Sequence, residues 1–268
     1  LKKIKKFLKW IIIALIFIAA VLIIAFKLYT SSYYRADLSI TENIQELLRN
    51  DVHSYSTKDG AVFIPQKQEI KAVIVFYPGG KVEYTSYNGL MYELAARGYI
   101  CLLPRMPENL ALLSTNAVDR ITSGYEEFNK EAEELDWYLA GHSLGGVAAC
   151  VHLGKNLIPE EGGSSEDVTM SSEYSGIILC ASYPTEDLSN SNLRLLSIYG
   201  SNDQVLDREN YEKSKKYWPK DSEEHIILGG IHSYFGSYGI QNGDGEPEIT
   251  NYNQITQTAD IIADWASH

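Results

Sequence analysis

The sequence predicts an α/β fold: a doubly wound, mostly parallel sheet without a large cap domain, preceded by one N-terminal transmembrane helix. The prediction rests on three features. An uninterrupted apolar run over residues 10–26 follows five lysines. Short apolar runs rich in β-branched residues then alternate with helical patterns, as expected of strands buried on both faces and joined by crossover helices. At one strand-to-helix junction stands Gly141-His142-Ser143-Leu144-Gly145, a G-x-S-x-G pentad.

The apolar run comes first in the chain. Its 17 residues span roughly 25 Å as a helix, near the lower limit for crossing a bilayer. Lys2, Lys3, Lys5, Lys6 and Lys9 precede it and only Lys27 and Arg35 follow closely. The positive-inside rule then places the N-terminus in the cytoplasm and the remainder outside, in a single-pass arrangement at the cell membrane. The run exceeds the core of a signal peptide and no small-x-small cleavage site follows it, so an uncleaved anchor is expected; a cleaved signal would leave the body on the same side. The expected organisation is an anchor over residues 1–27, a polar stalk over 28–50 with one short helix at Ile44, Leu47 and Leu48, and an α/β domain over 51–268.

Charge separates these parts. The 268 residues carry 23 basic and 35 acidic side chains, a net of −12; without the six lysines up to Lys27 the body has 17 against 35, a net of −18. An acidic body repels phosphate backbones, which excludes nucleic acid as an expected partner. The three cysteines, Cys101, Cys150 and Cys180, each sit in an apolar run, and neither their number nor their spacing suits a disulfide framework or a metal site.

Residues 52–57 and 61–65 flank Lys58-Asp59-Gly60 and read as a β-hairpin. Residues 72–77 (Ala-Val-Ile-Val-Phe-Tyr) read as a strand buried on both faces, and Leu90, Met91, Leu94 and Ala95 as a helix. A strand over 99–103, a mostly helical stretch over 119–135, a short strand over 137–140 and a helix from Leu144 follow. Strands over 176–181 and 193–199, a helix over 209–217, a strand over 225–228 and a helix over 254–265 complete the series. Residues 160–173 break the rhythm with a Gly-Ser run and five acids, and read as a solvated acidic loop without calcium-ligand spacing. The gap from Tyr183 to Asn192 is too short for a cap of packed helices, so an open site is expected.

The pentad carries the chemistry. A sharp strand-to-helix turn crowds the backbone, so glycines flank the serine and its oxygen is thrust out over the sheet, where the helix starting at Leu144 aims its positive end. A hydroxyl needs a base, and the base an orienting acid. His232, in the loop after the strand over 225–228, is the candidate base; His53, His142, His152, His225 and His268 are worse placed, His142 reading as a packing or hydrogen-bonding residue. Asp203, in the loop after the strand over 193–199, is the candidate acid, with Asp207 as the alternative. Oxyanion donors are expected from the amides of Leu144 and Gly80, the latter in Pro78-Gly79-Gly80-Lys81, with Lys81 second to Gly80. Tyr77, Tyr84, Tyr87, Tyr234, Phe235 and Tyr238 flank these loops as a candidate aromatic rim, with core packing the equal alternative for half of them. The implied acyl transfer needs neither a metal nor an organic cofactor.

With these motifs the chain resembles the α/β-hydrolase superfamily over roughly residues 50–268, and more narrowly a branch of small bacterial hydrolases related to the dienelactone-hydrolase-like group. The matching stretches are Tyr77-Pro78-Gly79-Gly80, Arg105-Met106-Pro107-Glu108-Asn109-Leu110-Ala111, the pentad with Ala140 and Gly146, Leu196-Ser197-Ile198-Tyr199-Gly200, and Gly229-Gly230-Ile231-His232-Ser233-Tyr234-Phe235-Gly236 with Tyr238-Gly239 and Gly243-Asp244-Gly245. Ser143 separates the chain from dienelactone hydrolases, which use a thiolate. The family pattern often carries Asn where Ile231 stands, which removes a side-chain hydrogen bond beside the base. The resemblance implies a membrane-held serine esterase acting on a small or surface-bound acyl ester. An acyltransferase or thioesterase with the same residues, and a non-catalytic anchored binding module, are the alternatives.

Overall fold

The computed structural model describes residues 2–123, 135–159 and 170–267, and the chain divides into two compact units, Leu1–Tyr33 and Tyr34–His268. The first unit is the helix α1 (Lys2–Ser31). Among the described residues it is the one helix long and apolar enough to cross a membrane. Its side chains are exposed along the apolar run, and it continues four residues past the boundary expected at Lys27.

The second unit opens with residues that sequence alone assigns to a stalk. From Tyr34 onward they belong to the body. The helix α2 (Leu38–Leu48) is capped by Asp37, whose carboxylate accepts the Ser39 amide at 3.0 Å. Ile44 on its inner face is 2% exposed and sits in the main core. The segment folds onto the body because a helix with even one buried apolar stripe gains more from packing than from standing in water.

Among the described residues ten strands follow: β1 (Val52–Ser56), β2 (Gly60–Pro65), β3 (Ala72–Tyr77), β4 (Tyr99–Pro104), β5 (Asp136–His142), the short antiparallel pair β6 (Ile158–Pro159) and β7 (Met170–Ser171), β8 (Gly176–Cys180), β9 (Arg194–Gly200) and β10 (Asp221–Ile227). Eight form one sheet in the order β1-β2-β4-β3-β5-β8-β9-β10. The hairpin β1–β2 and the β2–β4 pair are antiparallel, and β4, β3, β5, β8, β9 and β10 run parallel.

The helices cover both faces, as the apolar strand pattern requires. Ala72, Ile74 and Phe76 of β3 turn to the face packed by α3 (Asn88–Ala96) and α7 (Asn251–Trp265). Val73, Val75 and Tyr77 turn to the face packed by α4 (Ala117–Thr122) and α5 (Leu144–Asn156). That period of two, with every residue of β3 buried, identifies a central strand. A smaller cluster of Tyr199, Leu206 and Tyr211 seats α6 (Arg208–Ser214) near the β10 edge. Most of the helical stretch expected over 119–135 and of the acidic loop expected over 160–173 lies outside the described residues. β3, β5, β9 and β10 are parallel, so the loops at their carboxyl ends gather at one rim of the sheet, the usual place for functional groups in such folds.

Candidate functional site

Ser143 alone makes the turn between β5 and α5, with φ 51° and ψ −123°. A non-glycine residue there costs about 1–3 kcal/mol and persists only where its surroundings impose it. The Ser143 amide donates to the Cys180 carbonyl at 2.9 Å, and the Ser143 carbonyl accepts from the Gly146 amide at 3.0 Å and from the Ser182 hydroxyl at 2.7 Å. The flanking glycines are steric requirements. A Cβ at Gly145 would lie 2.1 Å from the Tyr77 carbonyl oxygen, and one at Gly141 would lie 2.5 Å from the Gly145 carbonyl carbon. Ser143 itself stays half-buried at the head of the helix.

Asp203 and His232 meet. Asp203 Oδ2 pairs with His232 Nδ1 at 2.9 Å, and Oδ1 accepts the amides of Val205 at 2.9 Å and Leu206 at 2.8 Å. Burial raises the Asp203 pKa, but the hydrogen bond and charge of His232 and the two backbone amides outweigh it, so the carboxyl stays below its ordinary value. An ionised Asp203 only accepts, so it binds the proton on Nδ1 of His232, and in the neutral form of the ring Nε2 is then the acceptor. That Nε2 is buried and, like Nε2 of the neighbouring His142, has no hydrogen-bond partner among the described residues. Buried imidazole nitrogens are rarely left so, and functional sites are where the exceptions collect. Asp207, the alternative acid, instead caps α6: its carboxylate accepts the Asn210 amide at 3.0 Å and faces solvent.

The His232 ring stands 4.6 Å from the ring of His142, the neighbour of Ser143, so the elbow and the base loop are in contact. His142 Nδ1 pairs with the Tyr87 hydroxyl at 2.8 Å, which in turn accepts the Gly79 amide at 3.0 Å. Burial, and next the proximity of His232, push the His142 pKa well below its ordinary value, so this ring is neutral. The Tyr87 hydroxyl thereby ties the Gly79-Gly80 loop to the elbow.

The two residues expected to supply the oxyanion donors pack against each other. A Cβ at Gly80 would come within 2.8 Å of Leu144 Cδ2, so the Gly80 backbone lies directly against the first residue of α5. The Lys81 amide is already committed to the Asn109 carbonyl at 2.7 Å, whereas the Gly80 amide has no acceptor among the described residues. Leu144, as the first residue of a helix, has no intrahelical acceptor. The aromatic rim is smaller than the sequence suggests. Tyr77, Tyr87, Phe235 and Tyr238 are core residues, leaving Tyr84 and Tyr234 partly exposed. Tyr77 turns its hydroxyl to the Thr115 carbonyl at 2.8 Å.

Three contributors were not singled out from sequence. Asp244 accepts from the backbone of His232 and Ser233; its setting between two glycines was the available signal. Gln254, fully buried, accepts the Ile231 amide at 3.0 Å and donates to the Ile231 carbonyl at 2.7 Å, fixing the backbone beside the base. Ser182 bonds the elbow carbonyl and carried no signal. Among the described residues no group of three or more His, Cys, Asp or Glu is arranged to hold a metal ion.

Residues 73–256 match the model of a family described as the alpha/beta hydrolase family, a stretch that includes Gly80, Ser143, Leu144, Asp203 and His232. Comparison with curated proteins finds no match.

Proposed function

The chain belongs to the alpha/beta hydrolase family, and from that premise we propose that it is a serine hydrolase cleaving carboxylic esters, held at a membrane by α1 with its body on the outer side. His232 Nε2 takes the proton of the Ser143 hydroxyl as Ser143 Oγ attacks the ester carbonyl. The amides of Leu144 and Gly80 receive the oxyanion, each such donor being worth about 10²- to 10³-fold in rate. Collapse breaks the bond to the alcohol, which leaves with the proton from His232. Water, deprotonated by His232, then attacks the acyl-serine and releases the acid. Asp203 holds the imidazole tautomer and offsets its charge throughout.

The observation that supports this most is the buried Asp203–His232 pair at 2.9 Å, whose outer nitrogen has no hydrogen-bond partner among the described residues, with the His232 ring 4.6 Å from that of His142, the residue before a serine held at φ 51°. The lysines ahead of the apolar run support the orientation, and the short gap between β8 and β9 supports an open site.

The test uses the full chain in detergent with p-nitrophenyl acetate, butyrate and octanoate, beside Ser143→Ala and labelling by a serine-reactive phosphonate. Turnover lost in the variant, with the label on Ser143, is the expected result. Equal background hydrolysis in both folded proteins, with no label, overturns the proposal. An added alcohol that captures the acyl group faster than water turns it into an acyltransferase.

A further inference from the structure

Residues 34–37 lie across the two loops that carry the candidate oxyanion donor and base. The Tyr34 amide donates to the Lys81 carbonyl at 2.8 Å, and the Tyr34 carbonyl accepts the Glu83 amide at 2.9 Å, a one-residue parallel bridge at Val82. The Ala36 amide donates to Glu83 Oε2 at 3.1 Å, and the Asp37 amide to the Ser237 carbonyl at 2.7 Å. The Tyr34 side chain reaches the histidine loop as well. Its hydroxyl accepts the Asn242 amide at 3.1 Å, and its ring packs 5.6 Å from that of Tyr238, which stands 6.5 Å from both Tyr87 and His142.

This placement matters because of where the two loops start. One follows β3 and the other β10, and β5, β8 and β9 separate those strands in the sheet. No ladder sets one loop against the other. The loops are tied above the sheet, by the Ser237 amide on the Ser86 carbonyl at 2.7 Å, by the Ala36 and Asp37 amides on Glu83 and Ser237, by the contact of the Tyr87 and Tyr238 rings, and by Tyr34. Lys81 moreover has φ 57°, a conformation that needs external support in a lysine. Its amide is anchored on Asn109 and its carbonyl on Tyr34, so the residue directly after Gly80 is clamped from both sides.

We infer that Tyr34 is a positioning residue of the active site: through Lys81 on one side and Tyr238 and Asn242 on the other, it holds the Gly80 amide in register with His232. The inference rests on the hydrolase reading above. Donors and base must be held to about half an ångström for preorganisation to count, and one residue whose backbone holds the first loop and whose side chain holds the second achieves this.

The experiment takes the full chain in detergent with Tyr34→Ala and Tyr34→Phe. Tyr34→Ala is expected to lower kcat about 10-fold with KM within about twofold, the pattern of lost alignment without lost binding. It is also expected to slow phosphonate labelling and to speed amide exchange in residues 79–83 and 237–242. Both variants keep the backbone bridge to Lys81 and Glu83; Tyr34→Phe also keeps the ring on Tyr238, and is expected to recover most of kcat while exchange stays fast near Asn242. A folded Tyr34→Ala with wild-type kcat, labelling and exchange overturns the inference. Where the alanine variant fails to fold, a Tyr34→Phe identical to wild type in kcat and in exchange near Asn242 does the same. If the wild type neither turns over nor labels, the hydrolase reading falls. Exchange then still decides whether Tyr34 ties the two loops.

Discussion

Asp244 Oδ1 accepts the backbone amide of His232 at 3.2 Å, while its Oδ2 accepts the Ser233 amide at 2.8 Å and the Ser233 hydroxyl. The same carboxylate takes the Gly245 amide at 2.8 Å and, more weakly, that of Gln204 at 3.5 Å. One side chain therefore anchors the base and reaches the neighbour of its acid partner. Asp244→Ala leaves buried donors unpaired at about 1–3 kcal/mol each and frees the backbone of His232. The expected result is a 10- to 100-fold lower kcat, by rough analogy with displaced catalytic groups, with a lower melting temperature and little change in KM. Steady-state kinetics beside thermal unfolding check it.

Asp203→Asn keeps the shape of the pair but favours the wrong imidazole tautomer, so kcat is expected to drop about 10³- to 10⁴-fold. Stability responds too. The native Asp203 carboxyl lies below its ordinary value, so its ionised form stabilises the fold above about pH 4, and that contribution is lost as pH falls through the native value. Urea unfolding between pH 3 and 7 is expected to show a flatter acid limb in Asp203→Asn than in the wild type.

His142 gives a second pH signature with its own window. Its native pKa is pushed well below the ordinary 6.5 by burial and by His232. The unfolded chain thus gains a proton near pH 6.5 that the native state does not. Stability is full above that value and declines below it by about 1.4 kcal/mol per pH unit from this group. Protonation would also deny the Tyr87 hydroxyl its acceptor. His142→Gln is expected to be less stable at pH 8 and to lack this slope between pH 6.5 and 5, as urea midpoints would show.

The parts of the fold that could be read from sequence are those whose signal is local. β3 announces itself as an unbroken apolar run because both its faces are covered, and the pentad is legible because steric crowding at one turn dictates glycine at fixed spacing. Sequence position favours Asp203 as the acid but leaves Asp207 open as an alternative. They stand four residues apart in one loop, and only the start of α6 at Arg208 makes Asp207 the cap. Tyr34 was illegible for a different reason. It lies in a polar segment, and its partners Lys81, Tyr238 and Asn242 are brought to it by the sheet. Rim and core could not be told apart among the tyrosines, because a phenol suits a core position as well as an exposed one, provided its hydroxyl finds a carbonyl, as Tyr77 does at Thr115.

The cysteines separate a hydroxyl nucleophile from a thiolate. Cys101, Cys150 and Cys180 are all free and buried, and burial pushes each thiol up. Thiolate character governs alkylation, so none of them should react with iodoacetamide at neutral pH while the fold holds. Cys180 is the demanding case, since its carbonyl carries the Ser143 amide at 2.9 Å and an adduct there would disturb the elbow. Native protein treated with iodoacetamide is expected to keep full turnover and to show no added mass, and to take up three adducts only after denaturation. Loss of activity in step with one adduct on the native protein would mean that a thiol takes part in the chemistry assigned to Ser143.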